Sequence, residues 1–133
     1  MQIDIPQLRN IISECQRIQA ALRDPSRPFA ASETLITASI ATNFTSGGRP
    51  TWPPRRHSYP HPPLLKTRRL FHSIGEIRRQ TAQQLELGTA VEYAGYQQDG
   101  TSRIDPRPFV MFQDEDCDAI QQVFQTWLDD LIR

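Results

Sequence analysis

Gly47-Gly48-Arg49-Pro50-Thr51-Trp52-Pro53-Pro54-Arg55-Arg56-His57-Ser58-Tyr59-Pro60-His61-Pro62-Pro63 is the stretch on which the reading of this chain turns. Six of its residues are proline and it opens on a Gly-Gly pair, so neither a helix nor a central strand can run through it. Compact domains rarely carry about 15 residues without regular structure unless the segment serves as a lid, a binding arm or a docking strap. The strap, at about 47–63, separates a helical first part from a mixed second part.

Upstream, Leu8, Ile11, Ile12, Cys15, Ile18 and Leu22 recur at three- and four-residue steps. This spacing predicts an amphipathic helix over 5–23, with Pro6 tolerated in its first turn and Asp24-Pro25 ending it. Ser32 is placed as the N-cap of a second helix marked by Leu35, Ile36, Ile40 and Phe44 and stopped by Gly47-Gly48. The short link between the two predicts an antiparallel helix pair.

Downstream, Leu64, Leu65, Arg68, Phe71 and Ile74 predict a short third helix closed by Gly75. Residues 77–83 and 84–89 read as two short strands, residues 93–96 as a turn of helix, and Pro108 to Phe112 as a third strand or extended piece. Asp114-Glu115-Asp116 sets negative charge at the start of a last helix. Its apolar stripe is Cys117, Ile120, Phe124, Trp127 and Leu131, with Val123 and Leu128 beside it. The expected fold is α+β in one domain over residues 1–133: an N-terminal helix pair, a short third helix, a small mixed or antiparallel sheet and a C-terminal amphipathic helix.

The hydrophobic fraction of 38% is below the ~45–50% usual for globular domains, so the core should be small and completed by a partner. Charge is strongly segregated although the formal net charge is zero. Between residues 49 and 79, Arg49, Arg55, Arg56, Lys66, Arg68, Arg69, Arg78 and Arg79 face the single acid Glu76. Between residues 114 and 133, six acids face only Arg133. Fourteen of the 15 basic residues are Arg, which favours bidentate contacts to carboxylate or phosphate over diffuse solubilising charge. A subunit with one basic and one acidic pole can stack head to tail on its copies, closing into a ring or running on as a filament. Ordinary solvated surface is the alternative for both charge runs.

The chemistry of catalysis is poorly represented. His57 and His61 are four apart, but the prolines among residues 53–62 prevent the helix that would turn both toward one metal. Cys15 and Cys117 fall on apolar stripes, where a cysteine acts as a small hydrophobe and not as an activated nucleophile or half of a disulfide framework. The chain has no Gly-rich phosphate loop and no Ser elbow. It is expected not to be an enzyme and to need no cofactor or metal. No run of ~18 apolar residues occurs, and Met1 to Asp4 lack the basic-then-apolar form of a signal peptide, so no membrane association and a cytoplasmic site of synthesis are expected.

The order of motifs carries a resemblance over roughly residues 15–132. It consists of Gly-Gly-Arg-Pro-Thr-Trp-Pro at 47–53, Leu64-Leu65-Lys66-Thr67-Arg68-Arg69-Leu70 leading to Ser73-Ile74, Leu87-Gly88-Thr89, Tyr93-Ala94, Tyr96-Gln97-Gln98-Asp99-Gly100, and Ile104-Asp105-Pro106-Arg107-Pro108-Phe109 before an acidic helix start. In this it resembles the virion morphogenesis (tail completion) family of Mu-like and related tailed phages and prophages. The chain departs from the family pattern at Arg68, where a Gly is usual, and in the short, Pro-rich run between Trp52 and Leu64.

The resemblance implies a fold similar to phage tail terminators and a structural subunit that forms a ring, sixfold like a tail tube, at the head-proximal end of the tail. Such a ring completes the tail for head joining. Implied partners are copies of the chain, a tail tube or sheath protein, neck or connector proteins, and DNA passing through the channel. The location would be the host cytoplasm during assembly and the virion afterwards. A neck or head-completion adaptor ring is the alternative, followed by a nucleic-acid-binding protein, for which the basic strap with its interleaved aromatics has the right makeup. Candidate interface residues are Arg49, Trp52, Arg55, Arg56, Arg68, Arg69, Arg107, Asp114, Glu115 and Asp116. Trp52 reads first as a cap on the core and second as an anchor in a neighbouring subunit, and Arg107 reads equally as an internal ion pair or an inter-subunit contact.

Overall fold

Phe44 is the centre of the core in the computed structural model, which describes residues 5–133. Its buried ring meets Trp52 and Phe71 edge-on, with centroids 6.1 and 5.4 Å away, and Phe109 at 5.4 Å and a tilt of 39°. Edge-to-face pairs of this kind contribute ~0.5–1.5 kcal/mol each beyond the area they bury. The four rings come from four separate parts of the chain, so this cluster joins the second helix, the strap, the third helix and the segment before the last helix. Ile40, Leu70, Val91 and Ala94 complete the core.

The architecture is α+β. Helix α1 (Ile5–Leu22) and helix α2 (Ser26–Ser46) precede the strap; α3 (Arg69–Ser73), strands β1 (Ile77–Gln80) and β2 (Leu85–Gly88), α4 (Ala94–Asp99) and α5 (Asp114–Ile132) follow it. The strands form an antiparallel hairpin with Ile77 opposite Gly88 and Gln80 opposite Leu85. Thr81 N–H donates to Gln84 O at 2.8 Å across its turn.

Helix α2 begins at Ser26, six residues before Ser32. The Asp24 carboxylate accepts from both Ser26 N–H and Ser26 Oγ, and Pro28 falls in the first turn, where no amide donor is needed. Ser32 is therefore an interior residue, buried, with its hydroxyl unpartnered. The C-terminus follows the sequence: Gly47 is left-handed at φ 81°, and Gly48 N–H reaches back to Asn43 O at 2.9 Å. Gly48 admits no other residue, because a Cβ there would lie 2.5 Å from Trp52 Cδ1.

The expected N-terminal helix pair is present, but its two helices do not pack closely along each other. Helix α2 packs along α5, with Phe29 edge-on to Phe124 at 5.8 Å, while α1 has a smaller contact with the end of α5, where Arg17 Nη2 donates to Leu131 O at 2.7 Å. Most of the α1 stripe is consequently exposed, Cys15 included, while Ile18 is half-buried. Cys117 is exposed as well, because α2 covers the neighbouring face of α5 formed by Ala119, Ile120, Val123, Phe124 and Trp127. Trp127 is only half-buried, since it borders an open cleft of about 320 Å³ between α2 and α5.

Helix α3 starts at Arg69, later than the apolar spacing indicated, because Leu64 and Arg68 both take positive φ (66° and 60°) and interrupt helical winding. Pro108 to Phe112 is extended but joins no ladder. Its backbone groups are taken by side chains instead: Pro108 O accepts from Trp52 Nε1, Phe109 O and Met111 O from Asn43 Nδ2, and Phe109 and Val110 N–H donate to Gln98 Oε1. Among the described residues the sheet therefore stays at two strands.

Asn43 is fully buried, and Asn43→Ala strands two carbonyls and the Arg49 guanidinium. With about 1–3 kcal/mol for each unsatisfied buried group, urea unfolding should register a loss of roughly 3–4 kcal/mol at an unchanged m-value. Arg68→Gly should do the reverse. Relief of left-handed strain, ~1–2 kcal/mol, exceeds the ~0.5–1 kcal/mol that glycine's unfolded-state freedom costs, so stability rises by up to about 1 kcal/mol, whereas Arg68→Val lowers it.

Candidate functional site

The basic residues that stand together in sequence do not act together in space. Arg49 is turned inward: Nε donates to Asn43 Oδ1 and Nη2 to the Ser39 carbonyl and hydroxyl, all at 2.8 Å. Arg69 makes a bidentate pair with Glu92 at 3.1 Å and lies 5.8 Å from the Tyr93 ring centroid. Arg78 pairs with Glu33 at 2.6 Å, and Arg79 reaches Glu86 at 4.0 Å. Arg68 is exposed at the start of α3 without an ion pair among the described residues. Trp52 is buried, so it is a core residue of its own subunit and not a projecting anchor.

Four other guanidiniums converge. Arg55, Arg56, Arg103 and Arg107 line one cleft of about 190 Å³ together with His57, Tyr59 and the single acid Asp105. None of the four is in an ion pair among the described residues. Arg55 lies 5.3 Å from the Tyr59 ring centroid and 3.5 Å from His61 Nδ1. Arg107 forms no internal ion pair among the described residues. Its Nη2 donates to Pro53 O at 3.1 Å, pinning the strap, and its buried Nε has no partner.

Local backbone chemistry builds this cleft. Pro106 and Pro108 hold Arg107 in extended chain, and Arg107 N–H donates to Gln97 O at 2.7 Å. Gly100, at φ 75°, turns the chain so tightly that a Cβ would meet Ile104 O and Pro106 N at 2.8 Å. Thr101 Oγ1 then accepts from the Arg103 and Ile104 amides, which delivers Arg103 to the strap from far along the chain. Arg103 was not singled out from the sequence, and only the Gly100 turn marks its position.

The acidic pole also divides. Asp116 belongs to the internal network: its Oδ2 accepts from Ser39 Oγ at 2.6 Å and from Gln113 N–H at 2.8 Å, capping α5. Partial burial pushes its pKa up. The hydrogen bonds from Ser39 and Gln113, with the Arg49 charge, outweigh that and hold the carboxyl below its ordinary value of 3.8. Asp114, Glu115 and Asp118 at one end of α5, and Asp129 and Asp130 at the other, are exposed without ion pairs among the described residues. Two unneutralised surfaces result, a cleft lined by four arginines and a helix edged with five carboxylates.

Among the described residues no group of three or more His, Cys, Asp or Glu is arranged to hold a metal ion, and no helix is long and apolar enough to cross a membrane. No protein family, curated protein or solved structure matches the chain.

Because the folded pKa of Asp116 lies below its unfolded value, its contribution to stability is complete above about pH 5 and is lost as the pH falls below 3.8 through the folded value. Asp116→Asn should lower stability at pH 7 by roughly 0.5–2 kcal/mol, the usual range for a lost cap, and should flatten the acid limb. Urea midpoints of both proteins from acid to neutral pH check this; parallel curves would contradict it.

Proposed function

We propose that this chain is a structural subunit that assembles head to tail with its own copies into a ring at the head-proximal end of a phage tail, completing the tail for head joining. One observation carries the assembly half of this reading. The subunit exposes 9670 Å², whereas a folded monomer of 15.3 kDa is expected to expose roughly 7,100 Å². The excess is about 2,500 Å², the scale of an obligate interface.

The two unpaired charge surfaces supply orientation. The cleft of Arg55, Arg56, Arg103 and Arg107 is complementary to the carboxylate edge of α5 on the next copy, and two different patches meeting in this way give a heterologous, ring-forming contact. Exposed ion pairs contribute only ~0–1 kcal/mol each and are screened by salt, so they select the partner and leave cohesion to apolar contact. The phage context rests on the motif order described above. Arg68 adds to it, because it adopts the left-handed conformation that the glycine usual in the resembled pattern takes without strain.

A double substitution Arg55→Glu and Arg56→Glu tests the reading in particles of the parent phage or prophage. Both side chains lie in the proline-bounded loop outside the core, so thermal unfolding should stay within a few degrees of wild type. The folded variant should fail to enter particles, leaving heads and tails unjoined, and wild-type tails should carry about six copies, as a sixfold ring requires. Normal joining by the variant, or one or two copies per tail, would sink the proposal. Filter binding of duplex and single-stranded DNA at low and moderate salt separates the rival use of the cleft, since tight binding at moderate salt would reassign it to a phosphate backbone.

A further inference from the structure

Helix α1 displays an apolar stripe that its own subunit leaves bare. Ile5, Leu8, Ile11, Ile12 and Leu22 are between 45% and 66% exposed. Isolated helices of this length are marginal in water and owe their stability to packing of the apolar face. Within the subunit α1 is held at the far end of α5 through the Arg17 to Leu131 O bond, and that contact leaves these side chains in solvent.

Elsewhere on the same chain lies an open apolar groove of about 540 Å³. Ile36 and Ile40 of α2, Leu87 of β2 and Phe109 line it, and the half-exposed Val110 and Phe112 form its lip. A stripe without a cover and a groove without a filling are thus carried by one subunit on separate elements. Their flanks match in charge. Arg9 borders the stripe with no carboxylate partner, and Asp99 lines the groove with no cation partner among the described residues.

The geometry points to α1 of one copy seating its Leu8–Ile12 face in the groove of a second copy, between α2, β2 and the extended segment before α5. The occupant is a second copy because both halves of the contact, with Arg9 beside one and Asp99 beside the other, are present on every chain, and the excess surface of about 2,500 Å² leaves area enough for such an interface. Donor and acceptor surfaces differ, so the contact propagates head to tail and does not end at a pair. This rests on the assembly reading above and gives it the apolar contact that the charge pairs lack.

Cys15 on the α1 stripe is a natural reporter. In the full chain carrying Cys117→Ser, Gly95→Cys puts a thiol at the groove, where a Cβ meets nothing within 4 Å. Mild copper-phenanthroline oxidation of the concentrated protein should give a covalent ladder beyond dimer, because each subunit then carries one thiol on each half of the contact. Cys15 alone can give only dimers. Adding Ile12→Glu, exposed in the subunit and so harmless to its melting temperature, should abolish the ladder and weaken association at least roughly tenfold, while Ile12→Leu retains both.

A pattern that stops at dimers although Gly95→Cys is present, or a ladder unaffected by Ile12→Glu, overturns the inference. If Ile12→Glu protein still multimerises and enters particles without a link between Cys15 and the groove thiol, the α1 seat is wrong and the assembly reading survives. If the wild-type chain neither associates nor enters particles, both fail together. Trapping of the groove thiol to a different virion protein overturns the inference by giving the groove to that protein.

Discussion

The rest of the structure depends on Asn43, an amide buried without solvent contact in the last turns of α2. Its Nδ2 donates to Phe109 O and Met111 O, and its Oδ1 accepts from Arg49 Nε. Arg49 in turn holds the Ser39 carbonyl and hydroxyl, Ser39 donates to Asp116, Asp116 caps α5, and Gln113 Nε2 donates back to Arg49 O at 2.8 Å. A closed circuit of hydrogen bonds therefore ties α2, the strap, the extended segment and α5. Each member is satisfied by another, and this is the condition under which a buried polar network specifies one arrangement and costs little.

That circuit also decides which charges remain for function. It takes Arg49 from the basic run and Asp116 from the acidic one, and local ion pairs neutralise Arg69 and Arg78. Apart from the exposed Arg68, what is left is not a belt but a compact cleft, lined by guanidiniums of the strap and of the 100–107 turn, with Arg55 over the Tyr59 ring. Four like charges brought together with only Asp105 among them repel one another, so an anionic partner at this place gains more than it would from dispersed arginines. The buried, unpartnered Nε of Arg107 adds one donor to the same neighbourhood.

The apolar balance supports the same physical picture. The tight core around Phe44 is small, while the α1 stripe and the groove beside Phe109 leave large aliphatic and aromatic side chains in water. Apolar burial is non-directional and supplies cohesion, whereas charge patches supply orientation and partner choice. A subunit that separates the two, with cohesion on α1 and the groove and orientation on the cleft and α5, is suited to weak association when free and firm association when many copies are held in register.

The sequence by itself determined the element types and most of their ends. Three- and four-residue apolar steps defined α1, α2 and α5, Gly47 closed α2, alternation marked the hairpin, and the acidic triplet marked the start of α5. These are local properties, set by backbone sterics and by spacing along one element. Tertiary structure alone decided which apolar stripes are covered, since a stripe states that a face wants burial but not what buries it; α5 found α2, and α1 keeps most of its stripe exposed. It alone sorted the arginines, because a guanidinium is internal, paired or free according to neighbours as distant in sequence as Glu92 is from Arg69. Nothing along α2 marked Asn43 as the buried amide that ties the segments together, and Arg103 joined the cleft through a turn whose geometry depends on contacts that no spacing along the chain encodes.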